Sequence, residues 1–173
     1  EFLPNRKASG LLRVWSAASS SGEEAYSIAM VLAEYAPTTP FEVLGSDISI
    51  QMLEKAEKGS YSLDRIEGIS KNLFQKYCIV SEKSLTIAPS IRRRVRFQQI
   101  NLAAPLPPSI GEFEAIFLRN VLFYFDLETK KRVVANVLPH LQKGGYLLIS
   151  HSESLNGITD ALKTVRPSIY QKP

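Results

Sequence analysis

Short apolar runs alternating with helix-spaced segments constrain this chain more than any other feature in it. Leu11-Leu12-Arg13-Val14-Trp15-Ser16-Ala17 reads as a buried strand. A turn and capping cluster, Ser19-Ser20-Ser21-Gly22, follows it, and Glu23 to Tyr35 then carries Ile28, Ala29, Leu32 and Ala33 on one helical side. Phe41-Glu42-Val43-Leu44-Gly45-Ser46-Asp47 predicts a second strand, ending on an acid. Ser49 can cap a short helix holding Met52, Leu53 and Ala56, which Gly59 stops. Phe113-Glu114-Ala115-Ile116-Phe117-Leu118 predicts a further strand, and Leu127 to Leu141 a helix with Pro139 near its end. Gly144-Gly145 then turns into the strand Tyr146-Leu147-Leu148-Ile149-Ser150. Apolar strands alternating with helices imply an α/β fold, a mostly parallel central sheet with helices on both faces. Ligands of such sheets lie at the carboxyl ends of the strands, near the switch in strand order.

Residues 60 to about 100 interrupt the alternation. Leu73, Phe74 and Tyr77 predict a short helix, and Ser84-Leu85-Thr86-Ile87 and Val95-Arg96-Phe97-Gln98 two strands joined by a loop containing Pro89. This stretch is expected to form an inserted β-subdomain, at about residues 62–99, within a single domain spanning 1–173. Pro105, Pro107 and Pro108 mark a surface loop. The tail, Leu162 to Gln171, divides at Pro167 into two β-like pieces that can close a terminal hairpin.

Composition narrows the function classes. Apolar residues make up 45% and charged residues 22% of the 173 positions, an ordinary globular balance. Cys78 is the single cysteine and His140 and His151 the only histidines, which excludes a disulfide framework, a multi-cysteine zinc cage and an all-histidine metal site. No run approaches the roughly 20 apolar residues that span a bilayer. Glu1-Phe2-Leu3-Pro4-Asn5-Arg6 lacks the apolar core of a signal peptide. The expectation is a cytoplasmic monomer that does not insert into membranes. The net charge of +4 comes largely from Arg92-Arg93-Arg94-Val95-Arg96. On a strand, Arg92, Arg94 and Arg96 would share one face, either simply solvated or open to an acidic partner.

The strand ends carry the candidate chemistry. After the first strand, Ala17 and its small neighbours let a ligand approach the backbone, and Gly22 tolerates a positive φ. The Gly-x-Gly-x-x-Gly fingerprint of dinucleotide binders is absent. Glu23 and Glu24, in the first helical turn, occupy the place that would otherwise attract phosphate; alternatively they only complement the helix dipole. Asp47 ends the second strand 25 residues after Gly22, close to the spacing at which a strand-end acid holds ribose hydroxyls, although it can equally cap the following helix. A phosphate-free nucleoside with a positive centre meets these conditions, and S-adenosylmethionine is such a molecule.

The segment Arg13-Val14-Trp15-Ser16-Ala17-Ala18-Ser19-Ser20-Ser21-Gly22-Glu23-Glu24-Ala25-Tyr26-Ser27-Ile28-Ala29-Met30 resembles the first motif of the CheR-type chemotaxis receptor methyltransferases. Further blocks similar to that family follow in order. They are Gly45-Ser46-Asp47-Ile48, Lys55 to Tyr61, Val95-Arg96-Phe97 with Asn101-Leu102, Phe117 to Asp126, Gly144-Gly145-Tyr146-Leu147, and His151-Ser152-Glu153-Ser154-Leu155. The resemblance covers nearly the whole chain. It implies a Rossmann-like class I methyltransferase fold and methyl transfer from S-adenosylmethionine to glutamate carboxylates on cytoplasmic helices of chemotaxis receptors, with S-adenosylhomocysteine as product and no nucleic acid as substrate.

The resemblance also implies site roles. Glu24 would contact the methionyl amino group or nearby cofactor atoms, with Ala17 beside it. Asp47 would hold the ribose, Ile48 would pack beside the adenine, and Asn101 and Leu102 would contact its edge. Arg119, Asn120 and Tyr124 would line the end near the sulfonium and the incoming substrate, Arg119 and Tyr124 as catalytic residues. Ile48 and Leu102 can alternatively be core, and Tyr124 an amphipathic aromatic at a helix start. Arg119, if buried, needs a partner. A glutamate acceptor is ionised at neutral pH, its pKa being about 4.3, so the reaction needs placement of two groups rather than a general base. His140 and His151 are therefore expected to be structural.

Two departures qualify this. The family's N-terminal helical domain and its Asn-x-Thr-x-Phe-Phe-Arg segment have no counterpart before Leu11, which leaves a non-catalytic adaptor or a different acceptor as alternative readings. The insertion's loop, Ser81 to Ser90, is short and without the glycine of members that grip a receptor's C-terminal tether, so recognition independent of the tether is expected.

Overall fold

In the computed structural model, which describes residues 10–63 and 69–173, five parallel strands and an antiparallel hairpin form the main sheet. The elements run β1 (Leu12–Ser16), α1 (Glu23–Tyr35), β2 (Phe41–Asp47), α2 (Ile50–Lys58), β3 (Ser60–Ser62), α3 (Lys71–Tyr77), β4 (Cys78–Val80), β5 (Ser84–Ile87), α4 (Pro89–Arg92), β6 (Val95–Gln99), β7 (Phe113–Phe117), α5 (Leu127–Val137), β8 (Leu141–Leu148), β9 (Lys163–Arg166) and β10 (Ile169–Gln171). The sheet order is β6-β2-β1-β7-β8-β10-β9. Strand order reverses at β1, which pairs in parallel with β2 on one side and β7 on the other. The crevice beyond their carboxyl ends is therefore the expected ligand position.

Alternation along β1 divides the core. Val14 stands in register with Val43 and Ala115, and all three pack with Ala25, Ala29 and Met30 of α1. Trp15, one residue on, stands in register with Leu44 and Ile116 on the opposite face, where Val133, Val134 and Val137 of α5 cover them. Both faces of the central strands are thus buried, which is why these strands read as continuous apolar runs.

The insertion is smaller than its sequence indicates. Only β3, β5 and β4 form the separate sheet, whereas Val95–Gln99 pairs in parallel with β2 at the edge of the main sheet. Phe97 explains its placement: its ring packs against Gly45 and lies 5.5 Å from the Tyr26 ring. The Pro89 loop is the four-residue helix α4. Arg92 consequently lies on a helix and donates to the Glu57 carbonyl at 2.7 Å. Arg94 stacks 4.5 Å over the Phe41 ring, and Arg96 lies 3.8 Å from Glu42. The expected shared face of three arginines does not form.

Two boundaries also differ. Helix α5 ends at Val137 and passes into a 3-10 turn over Leu138–His140, because Pro139 has no N–H to continue it. Gly144 and Gly145 lie inside β8 instead of preceding it, at an irregularity in the β7–β8 register. The terminal hairpin forms as expected, with β10 antiparallel to β8 and β9. Residues 64–68 of the insertion and the Glu1–Arg6 stretch lie outside the described residues. Among the described residues, no helix is long and apolar enough to cross a membrane, and no group of three His, Cys, Asp or Glu could hold a metal ion.

Candidate functional site

The ends of β1 and β2 are locked together by buried polar contacts. Trp15 Nε1 donates to Ser46 Oγ at 2.9 Å, and Ser46 Oγ donates to the Ala17 carbonyl at 3.0 Å. Ser19 N donates to the Ser46 carbonyl at 2.8 Å. These bonds shape the loop between β1 and α1, which reverses through Ser20 at φ 48° and Gly22 at φ 94°. Gly22 is required twice over, since a Cβ there would also stand 2.8 Å from Ala56 Cβ. Tyr61 of β3 braces the same loop by donating to the Ser21 carbonyl at 2.7 Å, and burial pushes its phenol well above the ordinary range.

Asp47 sits half-buried at the end of β2. Its Oδ2 accepts from Ser20 N at 3.0 Å and its Oδ1 from Ser49 N at 2.9 Å. The helix cap itself is Ser49, which accepts from Met52 N. Asp47 is therefore a loop tie, and each carboxylate oxygen keeps lone-pair capacity for a further donor such as a diol hydroxyl. Ile48 beside it is 62% exposed, which removes the core reading and leaves an apolar surface at the strand end. Asn101 is exposed and tied into its own turn, Oδ1 accepting from Ala103 N at 3.0 Å. Leu102 is 7% exposed and belongs to the core on the α5 face, and its carbonyl accepts from Asn136. Ala17 is likewise buried, its N–H donating to the Phe117 carbonyl.

The two glutamates at the start of α1 separate. Glu23 folds back onto the Ser21 hydroxyl. Glu24 crosses the sheet end: Oε1 accepts from Ser16 Oγ at 2.7 Å and Oε2 from Arg119 Nη1 at 2.9 Å. The Arg119 side chain is 39% exposed, and Glu24 is its partner.

The loop after β7 carries the remaining candidates. Asn120 adopts φ 58°, and its N–H donates to Ser150 Oγ at 2.9 Å. Glu153 accepts from Leu122 N at 2.9 Å, Phe123 N at 3.3 Å and Ser150 N at 3.0 Å. Tyr124 is 75% exposed in a 3-10 turn, its ring 4.4 Å from the Phe123 ring. The structure thus joins Glu24 directly to Arg119, places Asp47 and Ile48 together at β2, and leaves Tyr124 packed on Phe123. Sequence reasoning missed Ser16, Ser46, Tyr61, Ser150 and Glu153. The visible signal was a serine closing each of three apolar strands.

A groove of about 1110 Å³ runs along the α1 face of the sheet between α1 and the β9–β10 hairpin. Glu24 and Arg119 stand in its wall, but Asp47, Ile48 and Asn101 do not. Its lining is mostly apolar and offers little to orient a nucleoside. His140 is structural: its Nδ1 lies 2.7 Å from the Gly111 carbonyl, which can only accept, and its ring packs edge-on to Trp15.

The fold is that of the class I methyltransferases. A solved carbon methyltransferase, DszA, superposes with a TM-score of 0.54 at 13% identity, covering 86% of this chain and 30% of that one. A calicheamicin-biosynthesis methyltransferase in its SAH-bound form gives 0.51 at 14% identity, covering 84% and 31%. The chain belongs to the CheR methyltransferase family, matching its SAM binding domain over residues 2–170. It is 37% identical over 166 residues to a chemotaxis protein methyltransferase of Borreliella burgdorferi, covering 93% of this chain and 58% of the relative. The corresponding Escherichia coli protein is 38% identical over 157 residues, covering 87% and 55%. The chain therefore spans little more than half the length of these relatives.

Proposed function

We propose that this chain binds S-adenosylmethionine and transfers its methyl group to glutamate carboxylates of chemotaxis receptors. The observation that carries the reading is the arrangement of Asp47 at the carboxyl end of β2 and of Glu24, in the first turn of α1, against Ser16 at the end of the adjacent β1, in a chain of the CheR family. The residues fit the cofactor. Asp47 has acceptor capacity for a ribose diol, exposed Ile48 offers an apolar surface to adenine, exposed Asn101 is left for the base edge while Leu102 is core, and the acidic α1 start disfavours phosphate. Glu24, fixed between Ser16 and Arg119, holds a carboxylate for the methionyl ammonium.

When bound, the cofactor supplies a methyl group already activated on a sulfonium. The chain's task is to place the acceptor carboxylate in line with it and to exclude water. Arg119, on the rim beside Glu24, has a cation for drawing in that carboxylate; Asn120 and Tyr124 border the same loop. No side chain needs to remove a proton, because the acceptor is ionised at neutral pH. The protein acts in the cytoplasm as a monomer without nucleic acid, the sheet β3-β5-β4 standing apart from the main sheet.

Calorimetric titration with S-adenosylhomocysteine, followed by radiolabelled methyl transfer onto a receptor cytoplasmic fragment, tests the reading. Saturable binding and base-labile label on the receptor are expected. Binding without transfer to any receptor fragment leaves a non-catalytic adaptor or a different acceptor, and absence of binding overturns the proposal.

A further inference from the structure

We infer that Glu153 is the positioning residue for the loop that carries Arg119, Asn120 and Tyr124. This loop leaves β7 and would face the transferred group, so the inference rests on the function proposed above. Its conformation is not set by regular pairing: Asn120 is in the left-handed region at φ 58°, and Leu122–Tyr124 make one 3-10 turn. A non-glycine residue holds that backbone conformation only where its surroundings dictate it.

Those surroundings are a two-layer clamp from the loop after β8. Ser150 Oγ accepts the Asn120 N–H and donates to Asn120 Oδ1, which matches both polar ends of that residue. Glu153 then binds the far side of the turn, Oε1 taking the Leu122 and Phe123 N–H groups. Its Oε2 takes Ser150 N at 3.0 Å, so one carboxylate fixes the turn and the serine that fixes Asn120. Three backbone donors converge on a single anion, the stronger kind of hydrogen bond. Leu122 is buried at 1% while Phe123 and Tyr124 are 52% and 75% exposed. The buried leucine anchors the turn, and the clamp sets how the two aromatic rings and Arg119 are presented to solvent. Glu153 itself touches neither Arg119 nor Glu24 and acts only through the loop.

The two oxygens have different duties, which gives the test its resolution. Glu153→Ala removes all three acceptors. Glu153→Gln keeps one carbonyl oxygen for Leu122 and Phe123 but turns an amide toward Ser150 N. Native-state hydrogen exchange on the whole chain is expected to speed up about tenfold or more at Leu122, Phe123 and Ser150 in the alanine variant, and chiefly at Ser150 in the glutamine variant. Amides of β1 and α1 should stay within about twofold of the parent. In parallel, methyl-transfer kcat should fall about tenfold or more in the alanine variant, while affinity for adenosine, held at the Asp47 end, stays within about twofold. Exchange that accelerates uniformly, or not at all at these amides, overturns the inference, as does undiminished transfer in the alanine variant. Failure of the parent chain to bind S-adenosylhomocysteine sinks the proposed function instead; the exchange pattern then decides the clamp alone.

Discussion

Glu24 and Arg119 lie 95 positions apart in the chain and meet at 2.9 Å across the ends of β1 and β7. With side chains 23% and 39% exposed, this ion pair is too open to matter much for stability. Exposed pairs typically contribute about 0–1 kcal/mol. Its value is placement: the pair brings an anion and a cation to one rim of the crevice.

Arg119→Ala should therefore lower the melting temperature by no more than about 4 °C, in line with a loss below about 1 kcal/mol. Methyl transfer should fall by about tenfold or more, because the charged rim group is gone. Thermal denaturation and radiolabel transfer on the same preparation check this. A large loss of stability with full activity would show that the pair serves only the fold.

Asp47→Ala should weaken S-adenosylhomocysteine about tenfold or more, the loss of one charge-assisted contact to a diol. The variant also releases Ser20 N and Ser49 N, so Asp47→Asn, which retains one acceptor oxygen, is the needed comparison. Calorimetry measures both. Unchanged affinity in the two variants would leave Asp47 as a loop tie and nothing more.

Gly45→Ala tests the edge of the sheet. A Cβ at Gly45 would stand 2.5 Å from Phe97 Cε1, so the ring that seats β6 must move. Overpacking of this kind costs about 1–3 kcal/mol, which chemical denaturation should register as a lower midpoint. Phe97→Leu in the same chain should recover part of the loss by relieving the clash.

Acid should weaken the start of α5. The Asp126 carboxylate accepts from Thr129 N at 2.7 Å, and that bond holds its pKa below the ordinary 3.8. A depressed folded-state pKa means the stabilisation is complete above the unfolded value and disappears as pH falls through the folded one. The difference in melting temperature between the parent chain and Asp126→Ala should be constant near neutrality and shrink below about pH 3.8. A difference that persists unchanged at lower pH would rule out the carboxylate as its source.

The β4–β5 connection bears on the receptor substrate proposed above. Ser81 N donates to the Ser84 carbonyl at 2.8 Å and the two hydroxyls meet at 2.8 Å, closing a tight turn without a glycine. A receptor C-terminal pentapeptide should bind more weakly than about 0.1 mM in calorimetric titration. Saturation at lower concentration would establish tether recognition.

Much of the fold was legible because the information is local. Val14 and Trp15 are both buried, on opposite faces, so the apolar run of β1 identified a doubly covered strand without any knowledge of its neighbours. Ser49, Gly59 and Pro139 marked helix ends through their own backbone chemistry. The motif residues Glu24 and Asp47 have partners at the end of β1 or in the loop after it, and Arg119 pairs with Glu24. Local pattern could not tell which sheet Val95–Gln99 would join: a five-residue strand carries no label for its partner, and the Phe97–Gly45 fit that decides it spans 52 positions. Nor could it show that Arg119 would find Glu24, that Ile48 would be open while Leu102 is covered, or that Glu153 would gather amides from a loop 30 residues earlier. The sequence by itself determined which segments become strands and helices and which residue types stand at their ends, since periodicity and capping act within a few residues. Tertiary structure alone decided which of those ends meet, because hydrogen bonds and ion pairs act over a few ångströms in space and are indifferent to distance along the chain.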